Sequence, residues 1–438
     1  MTQTASPHGA TLDASEHDTE APIDGVAAPV SEQSRISSLD FIRGLAVMGI
    51  LAANIVAFGQ PGSAYFWPEA FLVDAGDPGG WMWITQFVLI DGKMRGLFTL
   101  LFGAGMYLFM ERAWARGSTR WLQVWRLIML LGFGLFHFYF IWMGDILSMY
   151  AMIGCVAVLF MKFQASTQIR IGLFLYSLGC IFLGGAFLMQ YLIADTQVFA
   201  GQEWVAQAQA DIVGAFERQV ANDAKVTVHM QSGDYPALVA ERFEQQWFMP
   251  FKAPFFGFFE SLSLMLIGMG LYRQGFFSGG FNPAKMKILG WIGALVGGAL
   301  TLWIGLFVQG GGYTQVGTNA AMIGWSMAPR LMMVLGFAAL LVEYSKSATG
   351  ALAQRVSAAG RAAFTNYLGT SILMMVVFQG WGLGLFGELN RPLLYVVTAL
   401  ACALMLAWSK PWLERYRYGP LEWLWRCLTY RKVFPLRR

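Results

Sequence analysis

Charge is what this sequence has least of. Asp, Glu, Lys and Arg make up 13% of its 438 residues, against about a quarter in soluble domains. Hydrophobic residues make up 56%, and the mean hydropathy is +0.51. That balance excludes an ordinary soluble globule and implies a polytopic membrane protein. Cysteine is also scarce: Cys155, Cys180, Cys402 and Cys427 lie far apart with no CxxC pair, so neither a metal site nor a disulfide framework is expected. The formal net charge is only +4 and there is no basic-aromatic patch, so no nucleic-acid partner is expected. The alternating segments of about ten residues that mark a β-barrel are missing. The apolar runs are apolar all round, which leaves helices as the way to satisfy the backbone in lipid.

Residues 1–34 contain no Lys or Arg and no useful apolar run. They lack the regions of a signal peptide and read as a disordered cytoplasmic tail. Apolar runs follow at 39–59, 82–110, 122–143, 145–161, 171–193, 253–272, 288–308, 319–343, 363–386 and 392–409. At about 20 residues per crossing, they predict an all-α bundle of about ten transmembrane helices over residues 35–410. The second run is interrupted by DGKMRG, which predicts a short interfacial helix followed by a true crossing. Arg112, Arg116, Arg120 and Arg126 share one loop, and alternate later turns carry Lys162 and Arg170, then Arg273, Lys285 and Lys287, then Lys346, Arg355 and Arg361. The opposite loops QPGSAYFWPEAFLVDAGDPGG and QGGGYTQVGTN have neither Lys nor Arg. The positive-inside rule therefore places both termini in the cytoplasm. A long acidic outer loop at 194–252 is either a cap over the bundle or a spacer packed on it. Residues 411–438 mix Trp, Leu and Tyr with Arg, predicting a basic amphipathic segment on the anionic cytoplasmic leaflet.

Four stretches and the chain ending carry a family resemblance. RISSLDFIRGLAVMGILAANIVAF at 35–58 has the pattern R-x3-LD-x2-RG-x-A-x2-GI-x3-N. FTLLFGAGM at 98–106, HFYFIWMGDILSMYAMIG at 137–154, GRAAFTNYLGTSI at 360–372 and WLERYRYGPLEWLWRCLTY at 412–430 follow. Together they resemble the YeiB-like bacterial membrane proteins, domain-of-unknown-function family 418, and imply a multi-pass inner-membrane location. The first-helix motif also looks like that of the membrane acyltransferases, which move acyl groups from cytoplasmic acyl-CoA to an acceptor reached from the other side. In that group a membrane-embedded histidine is central. The resemblance implies acyl-CoA as donor substrate, a lipid or glycan acceptor, and no resident cofactor.

Ionisable groups within spans are costly and default to functional candidates. His137 is the one histidine of the predicted bundle, since His8 and His17 lie in the tail and His229 in the outer loop. It reads either as a neutral histidine bonded between helices or as a general base. Asp145 follows eight residues later, beyond Gly144. It is either the N-cap of the next helix or the group that orients the imidazole. Arg43 and Asn54, about three helical turns apart, share a face of the first helix, although Arg43 would also snorkel to the interface. Asp91, Lys93 and Arg95 are either a neutralised kink or a helix break presenting cations to an anionic substrate. Arg330 either pairs with Glu260, Asp91 or Asp145, or binds such a substrate. Asn366, with Tyr367 and Ser371, offers helix–helix hydrogen bonds or ligand contacts.

The preferred reading is a membrane acyltransferase built around His137, Asp145, Arg43 and Asn54, with the histidine toward the outer side. The alternative is a transporter or exporter of a small molecule or lipid, proton-coupled through the same pair. A scaffold with purely structural ion pairs is the third. The lipid bilayer is the one partner common to all three.

Overall fold

The computed structural model describes residues 37–438; the predicted tail at 1–34 lies outside the described residues. Apart from one isolated bridge between Tyr416 and Arg437, the described residues are helical or irregular. In chain order the helices are α1 (Ser37–Gly59), α2 (Trp81–Leu89), α3 (Lys93–Trp114), α4 (Arg120–Phe136), α5 (Leu147–Ala157), α6 (Ala165–Ala194), α7 (Glu203–Ser232) and α8 (Tyr235–Gln245). They continue as α9 (Met249–Arg273), α10 (Pro283–Gly310), α11 (Gln315–Asn319), α12 (Met327–Ser345), α13 (Ala351–Arg361), α14 (Ala363–Phe378), α15 (Arg391–Arg415) and α16 (Pro420–Tyr430).

This is an all-α polytopic membrane bundle. Among the described residues seven helices are long and apolar enough to cross a membrane, or eight if the bent pair α13–α14 counts as one span. That is fewer than the ten apolar runs, and each shortfall has a local cause. The run at 82–110 breaks between α2 and α3 at Gly92, whose φ of 73° is a left-handed conformation open to glycine. α2 keeps only nine residues, and α3, though 22 residues long, carries Lys93, Arg95, Glu111 and Arg112 and is not among the seven. The run at 145–161 yields only Leu147–Phe160, about 21 Å at 1.5 Å per residue, short of a hydrocarbon core of about 30 Å. The run at 363–386 is helical only to Phe378, and α14 leaves α13 at 86°.

Helix crossings are close where glycine removes the side chain. Gly103 of α3 and Gly268 of α9 face each other's helix, and a Cβ on either would collide with the backbone of Met265 or Leu100 respectively. Small residues permit this backbone approach in membrane bundles. The basic loops gather at one end of the bundle, called here the basic end. At the opposite end the segment 194–252 forms the long helix α7 and the short α8, laid across the helix ends. Gly380 N–H donates to Met230 O at 2.8 Å, and Ser63 N–H donates to Asp223 Oδ2 at 2.8 Å.

Candidate functional site

At its C-terminal end α4 widens into a π-helical turn, His137–Ile141, closed by the Trp142 N–H donating to His137 O at 2.7 Å. Such turns are rare and concentrate at functional sites. The chain then reverses through Gly144, and Asp145 returns to the imidazole. His137 Nδ1 stands 2.9 Å from Asp145 Oδ1, with both side chains fully buried. Asp145 Oδ2 accepts the Ser148 N–H at 2.7 Å, in the first turn of α5. One carboxylate thus both caps a helix and orients the ring, so the two readings of Asp145 coexist in separate oxygens. An acceptor on Nδ1 holds the proton there and leaves Nε2 with a lone pair. Nε2 is buried and finds no hydrogen-bond partner among the described residues.

Two aromatic rings flank this histidine. The Tyr367 ring of α14 lies 5.1 Å away, and its hydroxyl accepts the Ile146 N–H at 3.2 Å, pinning the turn that carries Asp145. On the other flank the Trp142 ring is 6.3 Å away and stacks on Phe58 at 3.9 Å.

Tyr367 and Tyr150 stand in the wall of a cavity of about 330 Å³ that opens at the basic end. Its deep part is apolar, with Phe98, Leu101, Met106 and Leu147 among its lining, while Arg43, Arg112, Arg116, Arg126, Arg361 and Arg426 line it together with one acidic residue, Glu422. These arginines come from four stretches of sequence far apart from one another, at 43, 112–126, 361 and 426. Arg43 also pairs with Asp40 at 3.0 Å, and the Arg126 guanidinium lies 4.2 Å from the Trp425 ring. The α16 segment, expected to lie on the leaflet, docks here and forms part of the wall. Glu422 accepts N–H groups from Phe364 at 2.7 Å and Thr365 at 3.1 Å, at the start of α14. Burial pushes its carboxyl above the usual range.

Trp142 and Ile141 line a second, smaller cavity of about 60 Å³, roofed by α7 and α8 at the opposite end.

The remaining sequence candidates lie elsewhere. Asp91, Lys93, Arg95 and Arg330 belong to a separate buried polar cluster. Glu260 Oε2 accepts from Arg95 Nη2 at 2.7 Å and from Arg330 Nη1 at 3.0 Å, so Glu260 is the partner Arg330 takes. Arg330 also donates to Met322 O and to Ser326 Oγ. Lys93 Nζ donates to Phe87 O at 2.5 Å. Gln86, which the sequence did not single out, gathers Ala53 O, Asp91, Arg391 and the Tyr395 hydroxyl around one amide. Asn366 bonds Ala359 O, Ser409 Oγ and Trp408 Nε1, tying α14 to α13 and α15 and facing neither cavity. Asn54 is half-buried and lines neither of the two cavities. The sequence therefore missed Tyr367 as a neighbour of His137, the arginines of the loops, and Gln86. Among the described residues no group of three or more His, Cys, Asp or Glu side chains is placed to hold a metal ion.

Comparison with known proteins places this geometry in context. Residues 271–432 match the family described as "Protein of unknown function (DUF418)". The chain is 30% identical to the uncharacterized protein YxaH of Bacillus subtilis, over 93% of this chain and 97% of the relative. It is 29% identical to the uncharacterized protein YeiB of Escherichia coli, over 91% and 97%. An uncharacterized 39.9 kDa protein of Bacillus acidopullulyticus is 26% identical over 93% and 97%. No solved structure matches. With its apolar helices and bacterial relatives, the chain is a bacterial multi-pass membrane protein, consistent with the inner membrane.

Proposed function

Taking as premise that this chain belongs to the DUF418, YeiB-like family of bacterial membrane proteins, we propose that it is a membrane-embedded acyltransferase. In this reading the basic end faces the cytoplasm, as the loop charges imply. The arginine-lined cavity admits an acyl-CoA: guanidinium groups match phosphate oxygens, and the apolar depth beyond them takes the acyl chain. The acceptor approaches from the opposite face.

One observation carries the reading: a buried imidazole oriented through Nδ1 by a carboxylate, with Nε2 left unpartnered, between rings that wall two cavities. Nε2 is then available to take the proton from an acceptor hydroxyl or amine as that group attacks the thioester carbonyl. The new C–O or C–N bond forms and the C–S bond breaks. The proton held on Nε2 passes to the departing CoA sulfur. Asp145, bonded to Nδ1–H, stabilises the imidazolium that forms in between. This is general-base acyl transfer with an orienting carboxylate.

The test is incubation of the purified protein in detergent with radiolabelled acetyl-CoA, following CoA release and label on lipid or protein for wild type and His137→Ala. Turnover that vanishes in a folded variant is expected. Absence of CoA binding and release by wild type across several acyl lengths refutes the proposal. The buried Glu260–Arg95–Arg330 cluster favours a second reading, transport of a small molecule or lipid coupled to protons through His137. Uptake or export by proteoliposomes that needs a pH gradient and is lost in His137→Ala would select it.

A further inference from the structure

The smaller cavity has a chemistry of its own. Its roof is fastened to the π-helical turn by three contacts: Arg242 Nη1 donates to Tyr139 O at 3.1 Å, the Tyr235 hydroxyl to Phe140 O at 2.6 Å, and the Tyr139 hydroxyl to Trp247 O. The Tyr139 and Phe243 rings stack at 4.4 Å. The segment is thus a fitted cover over the turn that bears His137, and Trp142 is shared by the cavity wall and the imidazole's surroundings.

Hydrogen-bond accounting inside the cavity is one-sided. Asp223 Oδ2 is taken by Ser63 N–H, Gln60 Oε1 by Leu72 N–H, and Gln379 Oε1 by Trp381 Nε1–H. Glu241 Oε1 and Gln246 Oε1 are buried and find no donor among the described residues, and Gln246 is only 8% exposed. Buried polar atoms are ordinarily bonded, so an exception calls for an explanation. The charged side chains in the lining are Asp223, Glu241 and Arg242, two acids against one base whose guanidinium already holds Tyr139 O. The buried atoms left unpartnered in the lining are therefore acceptors, and its charge is net acidic, which disfavours an anion. At about 60 Å³ it is far below the several hundred Å³ of a drug-sized pocket, and has room for the end of a molecule only.

We propose that this cavity is the acceptor subsite, and that it takes the terminal hydroxyl or ammonium group of an uncharged or cationic molecule. The word acceptor rests on the acyl-transfer reading; the donor-seeking site stands on its own geometry. Glu241 and Gln246 receive the hydrogen bonds, and Trp142 separates the bound group from His137 until it is displaced. The same terminal chemistry occurs on a soluble amino alcohol and on an ethanolamine phospholipid headgroup.

The experiment is equilibrium binding of radiolabelled ethanolamine to the full chain in phosphatidylcholine nanodiscs. Saturable binding is expected, with glycerol competing and the anion glycolate failing to compete. Glu241→Leu and Gln246→Leu should each weaken binding tenfold or more, and Glu241→Gln, which keeps an acceptor oxygen, should weaken it less than Glu241→Leu. Thermal unfolding of each variant checks the fold. No saturable binding by wild type, or Glu241→Leu binding within twofold of wild type while folded, overturns the proposal, as does glycolate competing as well as glycerol. In phosphatidylethanolamine nanodiscs, a tenfold loss of apparent ethanolamine affinity assigns the site to the lipid headgroup, and an unchanged affinity assigns it to a soluble molecule. CoA release by wild type is followed in the same samples. Ethanolamine binding without any CoA release would refute acyl transfer and leave the site standing.

Discussion

Replacing Glu260 by leucine removes the shared anion of two arginines. Glu260 is 9% exposed and its partner Arg330 5%, whereas the Arg95 side chain keeps 42% exposure. At the observed separations of about 3 Å and an effective dielectric of 20, each pair is worth about 5 kcal/mol of Coulomb energy before desolvation. Desolvation of the ions offsets much of that, and stranding one partner of a buried pair typically costs about 3–5 kcal/mol. Arg330 is the side chain stranded here, since Arg95 has room to relax. Glu260→Leu is therefore expected to destabilise by about 3–5 kcal/mol. In an Arg330→Met background the same change should cost at least about 1.5 kcal/mol less, because the buried cation is already gone. The assay is reversible unfolding in mixed dodecyl maltoside and dodecyl sulfate micelles, followed by helical circular dichroism, for the two single variants and the double variant. A Glu260→Leu protein within about 1 kcal/mol of wild type, or costs that simply add in the double variant, would refute the reasoning.

Other expectations follow from separate contacts. Asp145→Ser keeps an oxygen for the Ser148 N–H but strands the buried His137 Nδ1–H, so it should cost about 1–3 kcal/mol of stability. It gives up the His137 contact, and CoA release should fall by at least about 100-fold; wild-type turnover would remove the orienting role. Gly268→Val drives a Cβ into the Leu100 carbonyl, where backbone cannot yield, and should cost about 3 kcal/mol or more in the same micelle assay, at or above the upper range for overpacking. Burial raises the Glu422 pKa, so the folded state holds its proton more tightly than the unfolded chain. That contribution to stability is present below the unfolded pKa and is lost as pH rises through the folded one. A melting-temperature series over about pH 4–8 should show stability falling across that window in wild type and a flatter profile in Glu422→Gln.

What could be read in the sequence divides by range. The apolar runs, the break at DGKMRG and the return of Asp145 beyond Gly144 are local, and composition or a few residues of spacing suffice. The early end of α14 at Phe378 was hidden because the run from Ala363 stays apolar past it. The position of Tyr367 against His137 joins residues 230 apart in the chain, and the arginine lining draws on loops whose charges signal only orientation when read singly. Gln86 carried no signal at all: an amide in an apolar run is ordinary until four partners converge on it. Arg391 was likewise read past, at the edge of the last run, although it is 1% exposed. The acidic outer loop was legible as a cap or a packed spacer, while its hydrogen bonds to the π-helical turn depend on the backbone oxygens of Tyr139 and Phe140, which sequence does not display.

The hydrogen bond that closes the π-helical turn runs from Trp142 to the carbonyl of His137 itself. The indole that walls the smaller cavity is thereby tethered to the residue whose ring packs on Tyr367, in the wall of the larger one, across a single turn of backbone. A guest that pushes Trp142 aside pulls on His137 and on its fit against Tyr367. Linkage makes such an effect mutual: whatever factor one guest applies to the affinity of the other is returned in full. On the acyl-transfer reading proposed above, the five residues from His137 to Ile141 would act as a lever between the two cavities, and the order in which donor and acceptor arrive would become a property of that turn.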